Sequence, residues 1–409
     1  MAIEKGAPQT GTTDRAGRPV IHLQPGRHKR VRAGHPWVYS NEVVMDAAAK
    51  ALPPGTLVRL AAANGEPLGA AMFNPRTLIA ARLLHHDPDA AIDTEFFRQR
   101  IAAATALRER LYPGGFYRLI HAEADGLPGL VIDRYGEAVV IQANTAGMDR
   151  LLPDIRDALD TVLSPNTIVL RNDSSARTLE GLKTEVAVAK GEITGPTELV
   201  ENGARFLVDL QGGQKTGWFF DQRDNRAAVA RLAAGARVAD LYSYGGGFAV
   251  AAARAGAVEV AVIDRSAPAL ELAAQSARLN QVDSVCRFVR AEAFEELERR
   301  AAAGERFDIV IADPPAFVKS RKDLAAGSRG YRKLARLAAA IVAPGGLLFI
   351  ASCSHNVDRA TFDDQVQRGL IDAGRTGRIL LASGAAADHP VHPALPESVY
   401  LKASLIQLD

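Results

Sequence analysis

Only two cysteines occur in this 409-residue chain, and they keep different company. Cys286 lies inside "SVCRFV", the setting of a small buried hydrophobe, which is what most free cysteines are. Cys353 lies in "SCSH" (352–355), directly after the apolar run "GLLFIA" (346–351). It stands where a buried strand should stop and polar chemistry begin, so it is a candidate nucleophile. Other short apolar runs also end in residues that could touch a ligand. "RVADLYS" leads into "DLYSYGGGF" (240–248), which holds Asp240, Tyr242, Ser243 and the glycines Gly245, Gly246 and Gly247. "VEVAVID" ends in Asp264, "CRFVRAE" ends in Glu292, and "FDIVIAD" ends in Asp313 at the head of "DPPAF".

Each residue type suggests a contact. Consecutive glycines between a strand and a helix let the backbone approach a ligand and offer free amide N–H groups. An acid ending the next strand suits the hydroxyls of a ribose. A carboxylate at Glu292 could accept from an adenine amino group. Two prolines after Asp313 make a stiff segment that continues neither helix nor sheet. No Lys-Ser/Thr pair follows the glycines, which argues against a nucleoside triphosphatase. Taken singly, Asp264 reads as a helix cap, Glu292 as a solvated acid and Asp-Pro-Pro as a turn. Together, at successive strand ends, they read as a site for S-adenosylmethionine (SAM).

The elements that must position them follow from the texture after residue 225, where helical runs alternate with short apolar strands. This rhythm predicts a mostly parallel, doubly wound α/β sheet that binds ligands beyond the carboxyl ends of its strands. Upstream, "TELVENGARFLVDL" places Asn-Gly between two strand-like runs and predicts a hairpin. Residues 93–111 read as a helix, and 117–190 mixes strands with a helix near 148–163 in an α+β unit. Residues 20–90 are short strands separated by turn signals, a small β-rich domain. Residues 1–19 are polar and read as a disordered extension.

Composition excludes some classes. A net charge of +2 gives no global field for nucleic acid, so any basic footprint is local. Two cysteines build no disulfide framework, which fits a reducing cytoplasm. Neither a signal-peptide pattern nor an apolar run of membrane-spanning length is present. His389 and His392 in "DHPVHP" have no ligand partners at metal-binding spacing and read as a structural loop, so no metal is expected.

"DLYSYGGGF", "VIDRS", "FDIVIADPPAF" and "PGGLLFIASCSHN" resemble class I SAM-dependent methyltransferases. More narrowly, they resemble the RlmI-type ribosomal RNA cytosine-5 methyltransferases, and the likeness covers most of the chain. "GRHKRVRAGHPWVYSNEV" is similar to the start of that family's RNA-binding PUA domain, "EADGLPGLVIDRYG" to its central domain and "QKTGWFFDQRDNR" to the segment entering its catalytic domain. After the extension at 1–19, the resemblance implies a PUA-like domain (20–92), a central α+β domain (93–195) and a Rossmann-like methyltransferase domain (196–409). It implies that Asp240 and Gly245–Gly247 hold the methionine part of SAM, with Tyr242 and Ser243 in the same loop. Asp264 would hold the ribose and Glu292 the adenine side, where family members often carry Asp. Asp313 also borders the cofactor, and Gln222 would help close over it.

Carbon 5 of cytosine is a poor nucleophile, and a thiolate adding to carbon 6 makes the ring enamine-like. Cys353 would supply that thiolate and Asp313 an acid near ring nitrogen 3. Many other RNA cytosine-5 enzymes carry a second cysteine within the Asp-Pro motif, where this chain has Ala316. What removes the carbon-5 proton stays open. Methylation of a base nitrogen needs no thiol, so a nitrogen-directed RNA methyltransferase with Cys353 as bystander is the first alternative. A non-catalytic RNA-binding protein that keeps SAM as a structural ligand is the second.

Two basic stretches could meet RNA phosphate. Six Lys or Arg and no acid lie between Arg15 and Arg32, among them Arg27, Lys29, Arg30 and Arg32. Seven lie between Lys319 and Arg336, including Lys319, Arg321 and Lys322, with only Asp323 opposing. Beside a SAM site, phosphate contact is the better reading than a solvated face. The expected partner is RNA, in particular ribosomal RNA; the sequence leaves a homodimer open.

Overall fold

The structure, a computed structural model, describes residues 17–318 and 320–409. Most of the expected N-terminal extension (1–16), Lys319 and the Arg321 side chain lie outside the described residues. Two compact units emerge: the chain up to Ile193 with Pro390–Pro396, and Thr194–His389 with Glu397–Asp409.

The first unit holds two sheets. β1 (Val20–His22), α1 (His28–Arg32), β2 (Trp37–Tyr39), α2 (Ala47–Ala51), β3 (Thr56–Ala61), β4 (Pro67–Phe73) and β5 (Ile79–His85) form a small domain with strand order β1-β3-β4-β5-β2. Its core gathers Ile21, Leu23, Val31, Val38, Val58, Leu60 and Phe73. Arg18, which the sequence reading assigns to the extension, donates to the carbonyls of Pro88 and Ala90. α3 (Thr94–Leu111) is capped by Asp93, which accepts from the Phe96 amide. It packs on a second sheet of β6 (Phe116–His121), β7 (Leu130–Tyr135), β8 (Ala138–Ala143), β9 (Thr167–Asn172) and β10 (Glu185–Lys190), ordered β10-β9-β8-β7-β6. Between these strands run α4 (Ala146–Arg150), α5 (Leu152–Leu163) and α6 (Ser175–Leu179). Glu180, at the end of α6, is buried and ties the two sheets' domains together. It pairs with Arg82 at 2.7 Å and accepts from Asn74 Nδ2 at 2.8 Å and from the Ala146 amide.

The second unit opens with the predicted hairpin, β11 (Thr197–Glu201) and β12 (Ala204–Val208). Asn202 and Gly203 both take positive φ, 51° and 74°, the turn that matches strand twist. Then follow α7 (Arg223–Ala230), β13 (Arg237–Leu241), α8 (Gly247–Arg254), β14 (Glu259–Asp264), α9 (Ala267–Leu279), β15 (Cys286–Arg290), α10 (Ala293–Ala302), β16 (Phe307–Ala312), α11 (Leu324–Ala340), β17 (Val342–Ser352), α12 (Arg359–Asp372), β18 (Gly377–Ser383) and β19 (Lys402–Leu408). The seven-stranded sheet has order β15-β14-β13-β16-β17-β19-β18. β15 through β17 are parallel, and β19 runs antiparallel between β17 and β18. One face buries Leu348 and Ile350 against Tyr331, Leu334 and Phe362 of α11 and α12. On the other face Phe349 meets Phe248 of α8, their ring centroids 5.0 Å apart. With both faces covered, β14, β16 and the second half of β17 read as near-continuous apolar runs. The strand order reverses between β13 and β16, and in such sheets a ligand site lies at that reversal, past the carboxyl ends.

Candidate active site

β13 ends in Asp240 and Leu241, and the chain then turns through two non-glycine residues with positive φ, Tyr242 at 60° and Tyr244 at 49°. Such backbone is costly and needs holding. Asp240 holds it: its buried Oδ2 accepts from Ser243 Oγ at 2.8 Å and from the Ala249 amide at 3.0 Å, bridging the loop to the first turn of α8. Burial pushes this carboxyl up to about 7 against the pull of those two bonds. Asp264 braces the loop from β14. Its Oδ2 accepts from the Tyr244 amide at 2.9 Å and its Oδ1 from the Ser266 amide at 2.8 Å. Ser266, and not Asp264, caps α9.

The glycines are also needed for packing within the protein. In the structure a Cβ on Gly247 would sit 2.5 Å from Arg226 Nε, and one on Gly246 would sit 3.0 Å from Ala273 Cβ at a φ of 80°. A Cβ on Gly245 would lie 3.3 Å from the Trp218 ring. A bulky residue at 246 or 247 therefore disturbs the fold as well as any ligand. Arg226 is itself fixed: it pairs with Glu201 at 2.6 Å, donates to the Phe219 carbonyl and lies 4.5 Å from the Trp218 ring centroid. Trp218 Nε1 also donates to Glu201, at 3.0 Å. The hairpin's last carboxylate thus anchors the floor beneath the glycine loop. Removing one partner of such a buried pair costs about 3–5 kcal/mol.

Glu292 stands apart. It sits at the start of α10 with its side chain 57% exposed, 3.8 Å from Arg265. Tyr242 is half-buried against the core beneath the loop.

β16 and β17 bring the last two motifs together. Ala312 lies opposite Ile350 in the parallel register, so Asp313 and Cys353 emerge at the same edge of neighbouring strands. Cys353 Sγ donates to the Pro314 carbonyl at 3.9 Å. Burial pushes the thiol up; the Lys215 charge opposes this, while Asp313 and Asp221 add to it. Burial likewise pushes Asp313 up to about 7, reinforced by Asp221 and opposed by Arg226, Gln222 and Lys215. Gln222 is buried, and its side chain bonds Asp313. Cys286, by contrast, is buried at the start of β15, the opposite end of the sheet, and its thiol is pushed up to about 11.

The turn that carries Cys353 is pinned on every side. Ser354 is fully buried; its Oγ bonds Tyr331 Oη at 2.8 Å and accepts from the Val318 amide at 3.2 Å. Its carbonyl accepts from Lys402 Nζ at 2.7 Å, and its amide donates to Ser352 Oγ. Lys402 is buried on β19, also donates to the Tyr400 carbonyl, and is pushed down to about 8 by burial. Tyr400 stacks on His355 and donates to Asp221 Oδ2 at 2.6 Å. Lys215, Asp221, Tyr331, Tyr400 and Lys402 were not singled out from the sequence. Lys402 had a signal, as the only charge in the apolar run "YLKASLIQL" (400–408).

The basic residues divide. Arg27 and Lys29 are exposed on and beside α1, whereas Arg30 is bonded to Glu42 and His35 and Arg32 is paired with Glu66. Lys322 is exposed.

Residues 182–366 match the S-adenosylmethionine-dependent methyltransferase family, and residues 21–86 match a PUA-like domain. The chain is 38% identical to the ribosomal RNA large subunit methyltransferase I of Aeromonas salmonicida, over 95% of this chain and 98% of that one. It is also 38% identical to the Salmonella arizonae protein of the same name, over 94% and 96%. The chain belongs to the ribosomal RNA large subunit methyltransferase I family. A SAM-dependent methyltransferase structure from Streptococcus mutans shares the fold, with a TM-score of 0.80 at 23% identity over 95% of this chain and 99% of that one. Another with a TM-score of 0.81 at 22% identity, over the same shares of the two chains, was solved with S-adenosylhomocysteine.

The methyl donor of this family member is therefore SAM, and its donor set fits. Carboxylate acceptors at 240, 264 and 292 suit an ammonium, a ribose diol and an exocyclic amine. The start of α8, where Asp240 takes the Ala249 amide, is a helix N-terminus of the kind that suits a carboxylate. Among the described residues no cluster could hold a metal ion, and no helix is long and apolar enough to cross a membrane.

Proposed function

We propose that this enzyme methylates carbon 5 of a cytosine in large-subunit ribosomal RNA through a transient bond between Cys353 and carbon 6. The observation that carries the reading is the placement of the one thiol at the carboxyl edge of the sheet beside a carboxyl on the neighbouring strand. SAM supplies an electrophilic methyl group. The Cys353 thiolate adds to carbon 6, and the electrons of the carbon 5–carbon 6 double bond become available at carbon 5. Asp313, as a neutral acid, donates to ring nitrogen 3, where negative charge develops. After carbon 5 takes the methyl group, loss of its proton expels the thiolate and restores the double bond. Asp240, Gly245–Gly247, Asp264 and Glu292 bind the cofactor, with Tyr242 and Ser243 shaping the loop. A nitrogen acceptor would leave Cys353 without work. Incubation with tritiated SAM and unmodified ribosomal RNA, followed by nucleoside analysis, should place the label in 5-methylcytidine. Label on a base nitrogen would make Cys353 a bystander, and no transfer would return the non-catalytic reading.

Arg27, Lys29, Lys319, Arg321 and Lys322 contact RNA phosphate in this proposal. RNA affinity then falls steeply with salt, because neutralised phosphates release counterions. Changing Lys319, Arg321 and Lys322 to Gln should flatten the plot of log affinity against log salt by about 0.7–0.9 per lost contact. A slope equal to wild type would show that these three side chains touch no phosphate.

A further inference from the structure

The direction of the Gln222 amide is set by a chain of bonds that begins 162 residues away in sequence, at the Gly384 carbonyl. A carbonyl only accepts. It takes a hydrogen bond from Asn225 Nδ2 at 3.2 Å, so the nitrogen of that amide must face it. The same nitrogen donates to Gln222 Oε1 at 2.6 Å. Asn225 Oδ1, on the other side, accepts from the Ser383 hydroxyl at 2.7 Å. Asn225 is buried, and turning its amide over would set its oxygen against the Gly384 carbonyl and lose that bond outright, so its orientation is fixed. Gln222 is buried too. With its oxygen committed to Asn225, the group it presents to Asp313 is its NH2. An unconstrained glutamine offers donor or acceptor with equal ease; this one offers only a donor.

We propose that Asn225 is a positioning residue that, through Gln222, holds a hydrogen-bond donor against the Asp313 carboxyl and so fixes that carboxyl's orientation. The inference rests on the proposed work of Asp313 at the base. One carboxyl oxygen is engaged by Gln222, and the other is left for the ring. A fixed donor also favours the ionised form. It acts alongside the other charges that face Asp313: Asp221 just before α7, Arg226 on α7, Lys215 in the preceding loop, Asp240 at the end of β13 and Cys353 at the end of β17. Asp221 and Asp240 oppose ionisation of Asp313, whereas Arg226 and Lys215 favour it.

Two substitutions and their combination test this without any RNA. Carbon-13 NMR of protein labelled at aspartate carboxyls reports the Asp313 titration, assigned by the resonance that Asp313→Asn removes. Asn225→Ala frees the Gln222 amide to turn, and the Asp313 midpoint should rise by about half a unit to one unit. Gln222→Leu removes the donor itself and should raise the midpoint at least as far. In the Gln222→Leu background, Asn225→Ala should then move nothing further, because it acts through the missing side chain. A midpoint that Asn225→Ala leaves in place, or moves equally in both backgrounds, overturns the proposal. Should Asn225→Ala not fold, Asn225→Ser decides, since its hydroxyl accepts as readily as it donates; an unmoved midpoint there is equally fatal. Because the readout is a carboxyl titration, label on a base nitrogen would end the proposed role of Asp313 and leave the relay standing.

Discussion

Cys353→Ala binds SAM with wild-type affinity and transfers no methyl group, while Cys286→Ala remains active. That is the expected outcome of the largest single change the proposed chemistry allows. Carbon 5 has no other activator if the thiolate is missing, so the loss should be on the order of 10⁴-fold or more, as for nucleophiles elsewhere. The two cysteines make an internal control. Cys286 starts β15, buried at the end of the sheet away from the motifs. Cys353 follows β17, half-buried, with the Lys215 charge opposing the burial that holds its proton on. RNA carrying 5-fluorocytosine at the target should be methylated and never released, because fluorine does not leave as a proton does. The adduct should survive denaturing electrophoresis and map to Cys353. Substantial activity in Cys353→Ala would end the nucleophile assignment.

The motifs were readable because each is local: an apolar strand, then a polar or glycine-rich break, within about ten residues. Asp240, Asp264, Asp313 and Cys353 all sit at or just past a strand's carboxyl end, where the βαβ rhythm put them. Glu292 follows the same rhythm but is largely exposed. The hairpin at Asn202-Gly203 was equally local, being a matter of backbone preference at two residues. β18 and β19 were not read. β18 is an edge strand with Ile379 and Leu380 exposed, so it lacks the alternation that marks a half-buried strand. β19 arrives after residues 384–401, which contain no α-helix to signal a crossover, and it runs antiparallel. The sequence shows no sign that Pro390–Pro396 joins the first unit, since that depends on tertiary contact alone.

The supports of the site were hidden for the same reason. Ser354 looks like a polar flank of Cys353, yet it is fully buried and bonded to side chains 23 and 48 residues away. The glycines of "YGGGF" were legible as glycines but not in their packing. Two of them are dictated by Arg226 and Ala273, which no reading of a nine-residue motif could supply. In the same way "FDQRDNR" gave Gln222 without its direction, because the Ser383 and Gly384 contacts that set it come from after β17.

The second large effect concerns pH. Asp313 is pushed up to about 7, and the Cys353 thiol is pushed above its ordinary value. The proposed chemistry needs the thiolate together with the neutral acid, the less populated of the two singly protonated forms. Below about 7 both groups hold protons, and raising the pH makes thiolate, so the rate climbs. As the pH passes about 7, Asp313 ionises and cancels further gain, and the rate levels off. It falls only when the thiol itself titrates. Single-turnover methyl transfer should therefore rise to a shoulder near neutrality. Asp313→Asn keeps an N–H donor that does not titrate, so its rate should continue upward through neutrality into the thiol's own range. Asp313→Ala removes the donor and should lie about 10²–10⁴-fold below wild type at every pH. Asp240 is the control, since burial brings that carboxyl to about 7 as well. A shoulder near neutrality that survives in Asp313→Asn belongs to Asp240, and with it the acid role passes away from Asp313.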